Sequence, residues 1–352
     1  MTGMLLPSIL SLILQLPGDA DSLAGGWRKV ESLPDREGFA GMFAGACGDS
    51  LIAVGGANFP DAKPWQGGRK VWYDRIFALD SPTGKWRIVG KLPQPLGYGV
   101  SISTGDSLCL FGGSHERGHV ADAYRLRRNA GKFTIDPLPK LPMPLANACG
   151  ALVGDLVFIA GGQETPDSAV ALDRVWTLNL REQSAKWQSI PACPGGGRML
   201  AMAAAVGDEF WLVGGVSLQA GADGKPVRTY RADAWKYTAK SGWQRLADLP
   251  TPLAAAPSPL WTESTDVGKR VSIFGGDDGS QVGANPLEHR GFSKRHLRWQ
   301  PNQQRWQDSG TIPVGRVTVP TAFWRDQFWI VSGEQRPGVR SPEVWCWTPT
   351  RK

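Results

Sequence analysis

Near the end of the chain a carboxylate and a guanidinium stand six residues apart, Glu334 and Arg340 in VSGEQRPGVRSPEV. A carboxylate takes and returns protons, and a guanidinium grips an anion with two parallel N–H donors. Together they suit proton transfer on an acidic small molecule. Taken alone, they equally make an ion pair that stiffens a loop. His115, Glu116 and His119 share one short segment. Two histidines with no third ligand in register read as surface residues before they read as a metal site. Asp277-Asp278-Gly279 lacks the further oxygen spacing of a calcium loop and reads as a turn. Asn58, Trp65 and Trp72 lie close together, the rings able to stack on a sugar or to cover a pocket floor. Gln163 and Glu164 add polar groups, and Arg36, Tyr98, Asn147, Arg198 and Arg316 fall at turns. Such arginines either meet a ligand or tie neighbouring segments through backbone carbonyls.

What positions these groups is a repeat. An apolar run ending in a small pair recurs: SLIAVGG, SLCLFGG, LVFIAGG, EFWLVGG, RVSIFGG and QFWIVSG, ending at Gly56, Gly113, Gly162, Gly215, Gly276 and Gly333. The intervals are 57, 49, 53, 61 and 57 residues. An aromatic follows in each unit, at Trp86, Phe133, Trp187, Trp243 and Trp306, with Trp27 as an extra copy at the start. Small-residue segments such as GFAGMFAGACG precede the apolar runs, and alternating segments such as DRIFALD follow them. Four strands per unit and repeats near 50 residues are the kelch pattern of a β-propeller. Six repeats predict six blades. The sixth runs out after its third strand at Trp347, and WRKVESLP at 27–34 is an orphan fourth strand that would close the ring. The 44 Gly and 27 Pro punctuate these strands, and most of the 16 Trp pack blade on blade.

Alternating strand direction puts the loops between second and third strands, and the turns between blades, on one face. Those loops are 57–73, 114–120, 163–172, 216–231, 277–294 and 334–342, and they hold most of the residues named above. The 12 apolar residues 5–16 are too short to span a bilayer and fit a signal-peptide core. The expectation is a leader over 1–24, a single propeller domain over 25–352, and a periplasmic or secreted protein. No later run predicts a membrane span. A net charge of +7 is dispersed; the clusters at 125–128 and 294–298 read as solvated edge strands, with no nucleic-acid motif. Five cysteines lie 40 or more residues apart without a CxxC pair, so no essential disulfide is expected.

Against this frame the loop sequences resemble a known family. VSGEQRPGVRSPEV is similar to the G-E-x-(K/R)-P-G-x-R-(T/S) segment of N-acetylneuraminate epimerases, the sialic-acid mutarotases. GGANFPDAKPWQGGRKVWYD resembles their G-G-A-x-F…N-G-K-x-Y segment, and LGYGVSIS at 96–103 their R-A-Y-G-V-S strand. In the relatives the Glu-bearing blade precedes the GGA-x-F blade. Here it is last, as in a cyclically permuted branch, yet a closed ring keeps the two blades adjacent. The resemblance implies an isomerase that exchanges the anomers of an acidic sugar, with Glu334 and Arg340 catalytic. Position on the loop-bearing face makes Asn58, Trp72, Tyr98, Arg36, Arg198 and Arg316 the candidate substrate contacts. No metal or cofactor is called for. Leu96 stands where the relatives carry Arg, which removes one anion contact. The other class of function open to a kelch ring is non-catalytic binding of a protein or glycan.

Overall fold

The structure, a computed structural model, describes residues 26–129, 131–222 and 224–349. The expected leader and its cleavage site lie outside the described residues. Each Gly-punctuated repeat forms a four-stranded antiparallel meander. In blade one, Phe43–Cys47, Ser50–Val54, Arg75–Leu79 and Arg87–Lys91 pair in chain order. The second strand is buried along its whole length, as a continuous apolar run bounded by turns requires. Blades two to five repeat the meander from Val100–Ser103, Cys149–Val153, Met202–Val206 and Trp261–Thr265 outward. Six sheets result, with first strands of neighbouring blades packed together around an axis. The expected all-β, six-bladed propeller is what the chain forms.

Ring closure follows the expected route. Trp27–Val30 adds as the outer strand of blade six, opposite Val344–Trp347, with Trp27 paired to Trp347 and Val30 to Val344. Gly55 explains why the strand-ending pairs are glycine. It sits at φ 64°, and a Cβ there would lie 2.2 Å from the Leu96 carbonyl of the next inter-blade turn. Blade six has Ser332 instead, at φ 65°. Its hydroxyl accepts from the Phe39 amide at 2.7 Å and lies 3.0 Å from the Phe39 carbonyl. The serine knits blade six to blade one with its side chain.

The tryptophans bind blade to blade in two ways. Their rings fill the gaps between sheets, and buried indole N–H groups need an acceptor. Trp86 donates to the Glu31 carbonyl at 3.0 Å, Trp187 to Pro139 at 3.0 Å and Trp243 to Pro191 at 2.7 Å. All five cysteines are buried and free. The two basic clusters lie on third strands, not on edges, and carboxylates neutralise them: Arg127 meets Asp136, Arg128 meets Asp80 and Arg295 meets Asp308. No helix of the described residues is long and apolar enough to cross a membrane.

Candidate active site

The residue that follows each small pair is bridged, antiparallel, to the turn that enters its own blade. The six bridges are Ala40–Ala57, Gly97–Ser114, Ala146–Gln163, Met199–Val216, Ala254–Asp277 and Val317–Glu334. Loops and turns therefore share one face, as strand direction dictates. The next residue of each turn is left-handed: Gly41, Tyr98, Asn147, Leu200, Ala255 and Thr318, at φ 49–65°. Their amides form a closed circuit about the axis. Tyr98 donates to Gly41, Asn147 to Tyr98, Leu200 to Asn147, Ala255 to Leu200, Thr318 to Ala255 and Gly41 to Thr318, at 2.7–3.1 Å. All six line an axial cavity of about 80 Å³. Five of the six are not glycine, so the ring holds a conformation that their own preferences oppose. Such a circuit gives the loops above it a rigid base.

Glu334 and Arg340 stand on that base. They face each other across the hairpin Glu334–Arg336 and Val339–Arg340. Gly338 makes its turn at φ 77° against Pro64 and Trp65 of the blade-one loop, where a Cβ would come within 2.9–3.0 Å. Trp65 thus seals the hairpin tip. Glu334 Oε1 accepts from the Gly338 amide at 2.7 Å and lies 3.1 Å from Arg340 Nη1. Oε2 has no hydrogen-bond partner among the described residues. Only 4% of the Arg340 side chain is exposed. Its guanidinium lies over the Phe59 ring, 4.7 Å from the centroid; Nη1 meets Glu334 as an ion pair outside hydrogen-bond geometry, and Nε is buried with no acceptor among the described residues. A buried donor left unpaired is costly. The pair does not line the axial cavity itself; it borders the rim through Val317 and Thr318.

The other expected contacts divide. Tyr98 lines the cavity, and Trp72 lies near it, sharing the Lys70 ammonium with the Tyr98 ring. One face of Trp72 is therefore already occupied. Asn58 is buried, but its amide is consumed: Nδ2 donates to the Gly38 carbonyl at 2.9 Å, and Oδ1 accepts from Tyr73 at 2.9 Å. Arg36 points to solvent, with 93% of its side chain exposed. Arg198 is spent on Asp233, at 2.8 Å, and on the Gly214 carbonyl, at 3.1 Å. Arg316 binds Glu343 at 2.8 Å, and Glu343 also takes Lys29 of the closing strand at 2.7 Å. Asn58, Arg198 and Arg316 serve the ring and its loops, each because a partner from another segment reaches it first.

Among the remaining loop residues, Asp277 and Asp278 accept from the Gly279 and Ser280 amides, the turn geometry expected of them. His115 Nδ1 accepts from the Arg117 amide at 2.9 Å. His119 is half-buried, not a surface residue, and burial lowers its pKa to about 4. Sequence reasoning passed over three groups. Phe59, part of the quoted GGANF motif, is the platform for Arg340. Tyr230 donates to Asp277 at 2.5 Å, and Asp277 follows its glycine pair just as Glu334 does, which is a sequence signal. Lys70 lies in the quoted GGRKVWYD stretch, whose counterpart in the relatives carries a Lys, a signal that went unused.

With this geometry in hand, the chain can be set beside known proteins. The sequence profile of the N-acetylneuraminate epimerase family matches residues 19–135 and 138–284. An N-acetylneuraminate epimerase of Salmonella arizonae is 37% identical over 134 residues, 34% of this chain and 34% of that protein. One from Yersinia pestis is 41% identical over 113 residues, 29% of this chain and 28% of that protein. The matched region thus spans about a third of the length of these curated relatives. The solved "Structure of YjhT" superposes with a TM-score of 0.66 at 15% identity, covering 92% of this chain and 98% of that one. At that identity the likeness shows the fold alone. Glu334 and Arg340 lie beyond the profile match. The Glu334–Arg340 hairpin meets the blade-one loop in space, through Phe59, Pro64 and Trp65, although the two lie at opposite ends of the chain.

Proposed function

The chain belongs to the N-acetylneuraminate epimerase family, and on that premise we propose that it exchanges the α and β anomers of N-acetylneuraminate or a related acidic sugar. The observation that carries this reading is the state of one ion pair. Glu334 has one oxygen fixed by a backbone amide and one unengaged, beside a buried arginine that it meets at 3.1 Å and whose Nε has no acceptor.

The chemistry needs little more. Glu334 Oε2 takes the proton of the anomeric hydroxyl; the bond from the anomeric carbon to the ring oxygen breaks, and the ring oxygen takes a proton. The open keto acid rotates about a single bond and closes on its other face, by the same steps reversed. One carboxylate that removes a proton and later returns it serves both halves. Arg340 holds the sugar carboxylate through two N–H donors, so the anomeric carbon next to it stays within reach of Glu334. Stacking on Phe59 and burial fix the guanidinium plane before the ligand arrives, which lowers the ordering cost of binding. The apolar residues 5–16 support export, so the sugar would be met outside the cytoplasm.

NMR of freshly released α-N-acetylneuraminate, with and without the protein, tests the reading. Faster appearance of the β anomer is expected; unchanged rates across several acidic sugars would overturn it. Glu334→Gln should lower the rate by about 10²–10⁴-fold with the thermal midpoint nearly unmoved.

A further inference from the structure

The blade-one loop carries two neighbouring cations, and they are treated differently. Arg69 pairs with Glu116 of the blade-two loop. Lys70, half-buried, has no ion pair among the described residues. Its ammonium lies 5.4 Å from the Trp72 ring centroid and 5.1 Å from that of Tyr98. Aromatic faces orient a cation but leave its charge uncompensated.

Both supports are rigid. Trp72 is held in register opposite Ala57, and Tyr98 is locked into the axial circuit, its amide bonded to Gly41 and its carbonyl to Asn147. Tyr98 also lines the axial cavity. The unpaired charge is therefore pinned at the rim. Trp72 Nε1, in the same cluster, is buried without an acceptor. Position 96 supplies no charge nearby, since Leu96 is sealed in the core between blades one and two. The rim thus has donors waiting at two places, Arg340 on blade six and Lys70 at blades one and two, joined by a single loop that touches both.

We propose that Lys70 is a specificity-determining residue of this site, selecting anionic over neutral sugars without taking part in proton transfer. The inference rests on the anomerase reading for its substrate class alone. A point charge on a flexible stem suits this role, since it meets an anionic oxygen from any direction, while Arg340 fixes the plane.

The test measures binding and α-to-β exchange for N-acetylneuraminate and its methyl ester, which differ in the charge at the carboxyl group. Wild type should prefer the acid. Lys70→Met should weaken acid binding and raise KM about tenfold, leave ester binding unchanged, and keep kcat within about twofold; Lys70→Arg should restore the preference. If Lys70→Met melts early, Lys70→Gln replaces it. An acid-to-ester ratio equal to wild type in the neutral variant overturns the proposal, as does a fall in kcat with KM unmoved. The two readings fail separately. Acid preference that depends on Lys70, without faster exchange, would sink the anomerase and keep the selector; faster exchange with no Lys70 effect does the reverse.

Discussion

Two buried arginines on the loop-bearing face met opposite fates. The Arg198 side chain is 1% exposed and that of Arg340 4%. Around Arg198 every demand is met from within: Asp233 takes two of its nitrogens, and the Gly196 and Gly214 carbonyls accept as well. Asp233 also accepts from Arg231 and Trp235. Burial pushes its pKa up, but Arg231 and Arg198 outweigh that and hold it below the usual carboxylate range. Arg340 has one carboxylate, that of Glu334, met by Nη1 as an ion pair at 3.1 Å, and an Nε with no acceptor among the described residues. A satisfied network rigidifies, whereas a half-satisfied one is costly unless something completes it. On the proposed function, the contrast separates an arginine that builds the ring from one that holds a ligand.

Breaking each side should therefore look different. The largest effect is expected from Arg198→Met, which leaves Asp233 buried with less compensation; chemical denaturation should show a loss of about 3–5 kcal/mol. Activity per folded molecule should persist, and a loss of activity with stability intact would place Arg198 in the site. Arg340→Met should cost less stability, because its Nε is unpaired already. It should raise KM for the acid by about ten- to a hundredfold; a KM unchanged from wild type would contradict the ligand-holding role.

A further effect concerns pH. His296 is buried against Phe274, its Nε2 without a partner, and burial lowers its pKa to about 4 from 6.5. Below pH 6.5 the unfolded chain binds a proton that the folded one refuses, so stability is full above 6.5 and falls toward pH 4. The loss should be about 3 kcal/mol. His119, lowered to about 4 as well, adds a similar slope, so His296→Phe should remove about half of it in thermal melts; an unchanged slope would assign it elsewhere. Below about pH 4 the depressed Asp233 adds a second loss, which Arg198→Met should shrink.

What could be read in advance was whatever repeats or lies close in the chain. The glycine pairs mark second strands because a Cβ at Gly55 strikes the next turn, and that collision recurs at Gly112, Gly161 and Gly214. The orphan strand at Trp27 declares a ring because an outer strand needs a partner. Glu334 and Arg340 were legible because one short hairpin pairs them. Asn58, Arg198 and Arg316 were not, since their partners Gly38, Asp233 and Glu343 lie 20, 35 and 27 residues away. No residue type announces which donor such a partner will satisfy. The same holds for the axial circuit, which holds Tyr98, Asn147, Leu200, Ala255 and Thr318 left-handed against their preferences.

By itself, then, the sequence determined the blade count, the closing strand and the loop pair fit for proton transfer, because each depends on local spacing. Tertiary structure alone decided which cations are spent. Charge is neutralised by whichever group arrives in space, and Glu116 reaches Arg69 while no carboxylate reaches Lys70.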